Sequence, residues 1–255
     1  MSMGTSFHRA SVAAGNFFFK HRNALFPAAF AVLLLAARPR VLFGRPRLDE
    51  ALAWAGYAVA LMGELARLST IGFEYIERGG KQGKVYASFL VRKGMYGLCR
   101  NPMYVGNLLI CVGIILTSGS PLAYATAIPF FAFVYHAITS AEEEFLHAKF
   151  GAPYDEYCAR VPRFLPSMGG FREAFAGTRF DFRRPIKQDL STLAWIGMVL
   201  IFLPFWRVYF LQGWTVSVQQ LALRTAWREA AALLLYGVLV VLKRRKSPLF
   251  YGKES

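Results

Sequence analysis

Two short groups of polar residues carry side chains that bind charged small molecules. The first group is Arg100-Asn101-Pro102-Met103-Tyr104, and the second is Glu142-Glu143-Glu144. An arginine donates hydrogen bonds to carboxylates and phosphates, whereas a carboxylate accepts them from an ammonium group or a ribose hydroxyl. Together the two groups predict a polar ligand site. Their residue types leave open whether the ligand is a nucleotide, a lipid head group or a molecule with an amino-acid end.

Each group lies at one end of an apolar segment. Asn101 is a favourable N-cap, and Pro102 is a favourable first residue for the helix that follows. The start of that helix favours an anion because its free N–H groups and its dipole are positive there. Only Ser118–Pro121 separates this segment from the next apolar one, so the two helices must run antiparallel. The segment Arg100–Gly106 is therefore predicted to meet Glu142–Gly151.

The composition indicates an integral membrane protein. Hydrophobic residues make up 55% of the 255-residue chain and charged residues 18%, whereas roughly a quarter of the residues in soluble domains are charged. A helix needs roughly 20 apolar residues to cross a bilayer. We therefore predict an all-α, polytopic fold with about six hydrophobic helices, over Asn23–Ala37, Leu48–Thr70, Tyr104–Ser118, Pro121–Thr139, Leu190–Leu211 and Trp227–Leu242.

The formal net charge of +15 comes from basic residues that lie between the hydrophobic runs, so no nucleic-acid partner is expected. Basic loops tend to stay in the cytoplasm. The loop that carries Arg38, Arg40, Arg45 and Arg47 conflicts with this orientation, so either the first span is re-entrant or the rule fails locally. The other basic loops place the two polar groups on the cytoplasmic side, through Arg78, Lys81, Lys84, Arg92, Lys93, Arg100, Lys149, Arg160, Arg163 and Lys243–Lys246.

The chain divides into three segments. Residues 1–89 form an N-terminal membrane hairpin with a cytoplasmic loop, residues 90–166 contain both polar groups, and residues 167–255 form a polar linker with a C-terminal membrane hairpin. Cys99, Cys111 and Cys158 lack the spacing of metal ligands, so we expect packing roles for them, with no metal site and no disulfide.

The middle segment resembles the family of isoprenylcysteine carboxyl methyltransferases and phospholipid N-methyltransferases. The pattern of that family is Gly-x-Tyr, Arg-His-Pro-x-Tyr-x-Gly, a helical hairpin, Glu-Glu-x-x-Leu, Phe-Gly-x-x-Tyr and Val-Pro. This many matches in the same order are specific for the family, although they leave both flanking hairpins uncovered. The matching residues are Gly94, Tyr96, Arg100, Pro102, Tyr104, Gly106, Glu142, Glu143, Leu146, Phe150, Gly151, Tyr154, Tyr157, Val161 and Pro162.

The resemblance implies a membrane methyltransferase that uses S-adenosylmethionine, with residues 90–166 as its core. Such a site needs a carboxylate for the amino group of the donor, hydrogen-bond donors for its carboxylate and aromatic or apolar walls for its adenine. The acceptor is expected to be a lipid or hydrophobic small molecule, such as a phospholipid amine, a thiol or a prenylated group, that enters from the bilayer. The resemblance places these residues in a donor pocket open to the cytoplasm: Leu90, Val91, Tyr96, Arg100, Asn101, Pro102, Tyr104, Gly106 and Glu142.

The sequence departs from the family pattern at two positions. Asn101 replaces the usual histidine, which keeps hydrogen bonding but removes a titratable group. Ile138 stands where the carboxyl methyltransferases carry an arginine for the substrate carboxylate, so carboxyl methylation is disfavoured. If the acceptor must lose a proton, His136 and Glu143 are the predicted catalytic residues, although His136 also suits a packing role.

Two other functions fit part of the sequence. Membrane sterol or lipid reductases that use NAD(P)H share a similar Arg-x-Pro-x-Tyr-x-Gly segment, but Glu142, Glu143 and Leu146 and the two later hydrophobic runs weigh against them. A non-enzymatic transporter or scaffold predicts polar residues spread through the spans. In helix two, Glu64 and Arg67 are spaced to form an ion pair with each other, and only secondarily to bind substrate.

Overall fold

The computed structural model describes residues 3–77, 80 and 83–251, so Arg78 and Lys81 of the orientation argument lie outside the described residues. Within these ranges the chain is helical and contains no strand, which confirms the all-α prediction. The helices are α1 (Met3–Ala36), α2 (Pro46–Phe73), α3 (Pro102–Thr117), α4 (Pro121–Phe150), α5 (Ala152–Arg160), α6 (Phe171–Phe175), α7 (Arg183–Gln212), α8 (Val216–Arg244) and α9 (Pro248–Tyr251).

Each of the six predicted hydrophobic runs lies mainly within one helix: α1, α2, α3, α4, α7 or α8. Fewer than six of these helices are long and apolar enough to cross a membrane. In the described part of the chain, α4, α7 and α8 are long and apolar enough to cross a membrane. Helix α3 is apolar but has 16 residues, which rise about 24 Å and fall short of a typical hydrocarbon core. Helices α1 and α2 carry charged side chains within their length, and the prediction of about six spans was therefore too high.

Glycines allow α2 and α3 to pack closely as an antiparallel pair. A methyl group added at Gly63 would lie 2.6 Å from the carbonyl oxygen of Gly106, and one at Gly113 would lie 2.5 Å from that of Gly56. Small residues at these crossings let the two backbones approach each other, as they commonly do between membrane helices. This contact sets the position of the start of α3, where the first polar group lies.

We expect that Gly63→Ala lowers the free energy of unfolding by about 1–3 kcal/mol, because the new methyl group collides with backbone atoms of α3 that cannot move aside. Gly237→Ala in α8 is the matched control, since nothing lies within 4 Å of an added methyl group there. Thermal unfolding in detergent measures both variants. Equal melting temperatures for Gly63→Ala and the unmodified protein would contradict the packing argument.

Helix α1 packs along α4 in the opposite direction. The ring of His8 near the beginning of α1 contacts Glu144, while Ala37 just after its end packs against Ala123. The helix continues through Pro27 without a break. The basic loop after α1 therefore lies at the end of the molecule away from the glutamates.

Two buried ion pairs fasten α7 to α2. Arg67 of α2 donates to both carboxylate oxygens of Asp189 at 2.6 and 2.7 Å, and its Nε lies 3.6 Å from Glu64. The predicted Glu64–Arg67 pair is thus present, but the shorter contact of Arg67 is with a residue that the sequence did not suggest. At the opposite end, Arg207 of α7 pairs with Asp49 of α2.

Candidate functional site

An open cavity lies where α3 begins and α4 ends. Its other walls are residues 76–77 and 85–91, which follow α2, and the short helix α5. The predicted meeting of the two polar groups is confirmed, because both contribute side chains to this cavity.

Most of the predicted cofactor-binding residues line the cavity. Pro102 and Gly106 lie outside it. Pro102 is buried as the first residue of α3, and Gly106 packs against α2, where an added methyl group would lie 2.7 Å from Cγ of Arg67. Both therefore position the start of α3. The predicted residues that line the cavity are Leu90, Val91, Tyr96, Arg100, Asn101, Tyr104 and Glu142.

Glu142 presents its carboxylate to the cavity beside two other polar groups. The hydroxyl of Tyr104 donates a short hydrogen bond to Glu142. Arg22 of α1 is an electrostatic partner of the same carboxylate. The sequence does not connect Arg22 with the site, because nothing local in α1 shows which part of α4 it will face.

Glu143 faces away from the cavity lining and lies in a separate polar network behind it. It accepts a hydrogen bond from Nδ2 of Asn101 at 3.0 Å, and its carboxylate lies 3.0 Å from Nε of Arg163 and 3.8 Å from Nε of Arg100. Arg163 in turn donates to the hydroxyl of Ser140 at 2.8 Å. This network ties the start of α3, the end of α4 and the chain after α5 together behind the cavity.

The two predicted catalytic residues are both outside the cavity lining. Glu143 is held in the network behind it, and His136 is half-buried on the same side of α4, with its ring centroid 6.4 Å from that of Phe164. The reason is helical geometry, since neighbouring positions on a helix point in directions about 100° apart. Neither Glu143 nor His136 is among the residues that line this cavity, and their catalytic roles stay predictions.

Asn101 differs from its predicted role as a side-chain N-cap. Its backbone carbonyl begins α3 by accepting from the N–H groups of Tyr104 and Val105, but its side chain makes no capping hydrogen bond. That side chain instead donates to Glu143 and, at 3.2 Å, to the carbonyl of Arg163. The amide therefore links the cavity wall to the network behind it.

Helix α5 closes the base of the site through buried tyrosines. The hydroxyl of Tyr157 donates to the carbonyl of Tyr96 at 2.7 Å, and the N–H of Arg100 donates to the carbonyl of Pro162 at 2.9 Å. Burial raises the pKa of Tyr157. Burial likewise raises the pKa of the Cys99 thiol to about 11, so this thiol stays protonated near neutral pH, as a packing role requires.

Residues 76–77 and 85–91 contribute to a wall that periodicity did not predict. The ammonium group of Lys149 on α4 donates to the carbonyl of Ala87, and the N–H of Ser88 donates to the carboxylate of Glu77 at 2.6 Å. These bonds hold Tyr86 and Phe89 at the cavity, together with Ile76 and Val85. Irregular segments lack a repeating apolar pattern, which is why the sequence analysis missed these four residues.

The arrangement suits a ligand with a zwitterionic end and a flat end. Glu142 and Arg100 offer opposite charges, while aromatic and aliphatic side chains form the remaining walls. Arg100 lines the cavity, and its Nε lies 3.8 Å from the carboxylate of Glu143 behind it, so its guanidinium is the cationic group in this wall. Among the described residues no group of three His, Cys, Asp or Glu side chains is arranged to hold a metal ion.

Comparisons with known proteins agree with this geometry. A family model described as phospholipid methyltransferase matches residues 53–153, which include every predicted cofactor residue. The chain is 30% identical over 165 residues to the cobalt-zinc-cadmium resistance protein CzcN of Cupriavidus metallidurans, covering 64% of this chain and 71% of that protein. It is 27% identical over 191 residues to the nickel-cobalt-cadmium resistance protein NccN of Alcaligenes xylosoxydans xylosoxydans, covering 73% of this chain and 83% of the relative.

No solved structure matches the chain significantly. The matched region contains α3, α4 and most of α2, so it includes the glycine-packed helix pair and both polar groups. The sequence motifs, the cavity between them and the similarity to known proteins lead to one assignment. This all-α membrane protein belongs to the phospholipid methyltransferase family.

Proposed function

We propose that the protein transfers a methyl group from S-adenosylmethionine to a lipid or another hydrophobic acceptor. The observation that carries this proposal is the pairing of Arg100 and Glu142 in one cavity with aromatic walls, inside the region that matches the family model. The family assignment supports methyl transfer, and the charge pattern of the cavity supports this donor.

The residues present fit the donor group by group. Glu142 would hold the ammonium of its amino-acid end, and the guanidinium of Arg100 would hold the carboxylate. Leu90, Val91 and Tyr96 offer apolar and aromatic surface for the adenine. When bound, S-adenosylmethionine supplies an electrophilic methyl group on a positively charged sulfur.

The chain's own contribution to the reaction is alignment and exclusion of water. The Asn101–Glu143–Arg163 network fixes the backbone on which Arg100 and Tyr104 stand, so both side chains start from a defined position. Methyl transfer requires the acceptor atom and the methyl group to be in line, and such preorganisation can contribute several kcal/mol to the rate. We assign Glu143 to positioning and leave proton removal to the acceptor's own chemistry.

We propose that the cavity faces the cytoplasm and that the acceptor reaches it from the bilayer. Lys84, Arg92, Lys93 and Lys149 lie near this end of the molecule, consistent with the distribution of basic loops in membrane proteins. The two relatives are named for resistance to metals. By that analogy we propose metal stress as a setting in which methylation of a membrane component is used.

Calorimetric titration of the detergent-purified protein with S-adenosylmethionine and, separately, with NADPH tests the proposal. We expect micromolar binding of S-adenosylmethionine that is lost in an Arg100→Ala, Glu142→Ala double variant. Binding of NADPH alone would indicate a reductase, and binding of neither would indicate a non-enzymatic role. A variant with Glu144→Ala serves as the control, because that side chain is 57% exposed and lies outside the cavity.

A further inference from the structure

On the basis of the proposed function, we infer that Arg22 of α1 is the counter-ion of Glu142 and thereby a positioning residue of the donor site. Arg22 keeps the carboxylate charged and oriented, so that it can bind the ammonium group of the donor. Residues 53–153, which match the family model, do not include α1. The site therefore includes a functional side chain from a helix outside the matched region.

Arg22 is held near the face of α4 that carries Glu142. The Cζ atom of Arg22 lies 4.0 Å from the ring centroid of Phe19, one turn earlier in α1. Phe19 is 4% exposed and belongs to a buried cluster with Val134 and Ile138 of α4. Residues four apart lie on the same face of a helix, so Val134, Ile138 and Glu142 form one stripe. The ring of Phe19 therefore keeps the guanidinium on the α4 side of α1.

Close packing between α1 and α4 fixes the position of Arg22 from both sides. Before Arg22, a methyl group added at Gly15 would collide with the carbonyl oxygen of Ala137, so the two helices touch there. After Arg22, Phe26 packs edge-to-face on Tyr135 of α4, with 5.5 Å between the ring centroids. The backbone that carries Arg22 thus lies between two contacts of α1 with α4.

The charge of Arg22 acts on the polar groups around Glu142. It interacts electrostatically with the carboxylate of Glu142 and with the hydroxyls of Tyr104 and Tyr135. The hydroxyl of Tyr104 donates to Glu142 but brings no positive charge. The neighbouring Glu143 carries a negative charge, which opposes that of Glu142. A carboxylate that is withdrawn from water needs a nearby cation to stay ionised, and Arg22 supplies one.

The burial of Arg22 distinguishes it from other basic residues of α1. Arg22 is half-buried, whereas Arg9 and Lys20 are exposed. Helix α1 packs along α4, which is long and apolar enough to cross a membrane. Ionisable side chains at such positions face the interior of the helix bundle, pair with an opposite charge and mark functional sites. The acid with which Arg22 interacts is the one that lines the ligand cavity, Glu142.

Arg22 and the donor approach Glu142 from different sides. Glu142 lines the cavity, where the ammonium group of the donor would bind, whereas Arg22 comes from α1 and is not among the lining residues. The two cations therefore do not compete for one position. Without Arg22, the carboxyl group of Glu142 would take up a proton more readily, and a neutral carboxyl group binds an ammonium group weakly.

Calorimetric titration of the detergent-purified full chain with S-adenosylmethionine tests this role. We expect Arg22→Gln to weaken binding about tenfold, within the range of couplings between neighbouring charges, and Arg22→Lys to restore most of the affinity because it keeps the charge. Arg9→Gln is the matched control, since it removes the same charge from an exposed position on α1, and it should leave the affinity unchanged. In a Glu142→Gln background, Arg22→Gln should cause no further loss, because the cation then has no carboxylate to stabilise.

Unchanged affinity in Arg22→Gln would overturn the inference. The same loss with and without Glu142 would also overturn it, because Arg22 would then act through the packing of α1. Melting temperatures of the same four proteins give a second cycle that needs no donor. The double variant should lose less than the sum of the two single losses, and additive losses would show that Arg22 and Glu142 are not paired. Absence of binding to the unmodified protein would contradict the proposed function, and the melting cycle would still decide whether the pair exists.

Discussion

Replacing Asp189 with asparagine is expected to lower the free energy of unfolding by about 3–5 kcal/mol, because it leaves a buried arginine without its carboxylate. Asp189 is fully buried and Arg67 is 4% exposed. The two oxygens of Asp189 accept from Nη2 of Arg67 at 2.6 and 2.7 Å. The remaining contacts of Arg67, with Glu64 and Asn107, do not replace this pair.

Thermal and denaturant unfolding in detergent measure this effect, with Asp181→Asn as the control. Asp181 is also an aspartate near the start of α7, but its side chain is 45% exposed and lies 3.7 Å from Arg184, so a change of at most about 1 kcal/mol is expected. A triple replacement, Glu64→Gln, Arg67→Met and Asp189→Leu, should recover part of the loss because no member of this buried charge cluster then keeps its charge without its partner. A single Asp189→Asn variant as stable as the control would contradict this account.

Replacing Glu142 with glutamine is expected to weaken S-adenosylmethionine binding about 10–100-fold, while the protein stays folded. Glutamine keeps the shape of the side chain and an oxygen for the hydroxyl of Tyr104. It removes the negative charge that would pair with the ammonium of the donor. Hydrogen bonds to charged groups contribute about 1.5–3 kcal/mol, which gives this range of affinities. Calorimetric titration measures the affinity, and a thermal melt measures the fold.

Glu144→Gln is the matched control for Glu142→Gln, since it makes the same chemical change two residues away. The side chain of Glu144 contacts the exposed ring of His8 at 3.2 Å, on the surface of the α1–α4 pair. Neither affinity nor stability should change in this variant. Equal losses of affinity in the two variants would exclude Glu142 as the specific partner of the ammonium group.

The sequence was sufficient to predict the architecture of the middle segment. A turn of a few residues between two apolar helices forces them to be antiparallel, so the meeting of Arg100–Gly106 with Glu142–Gly151 followed from connectivity alone. Pro102 begins α3, as its fixed backbone angle predicts. The all-α class followed from the length and apolarity of the six runs, although the number of qualifying spans did not.

Tertiary packing decided which side chains share an environment. Glu142 and Glu143 are neighbours in sequence, yet one lines the cavity and the other joins the network with Arg163, because the rotation of α4 depends on the helices around it. Three contacts join parts of the chain that are far apart in sequence: Arg22 near Glu142, Asp189 against Arg67, and the cavity wall formed by residues 76–77 and 85–91. Local propensity and periodicity report on neighbouring residues, whereas these contacts depend on the folded arrangement of whole helices.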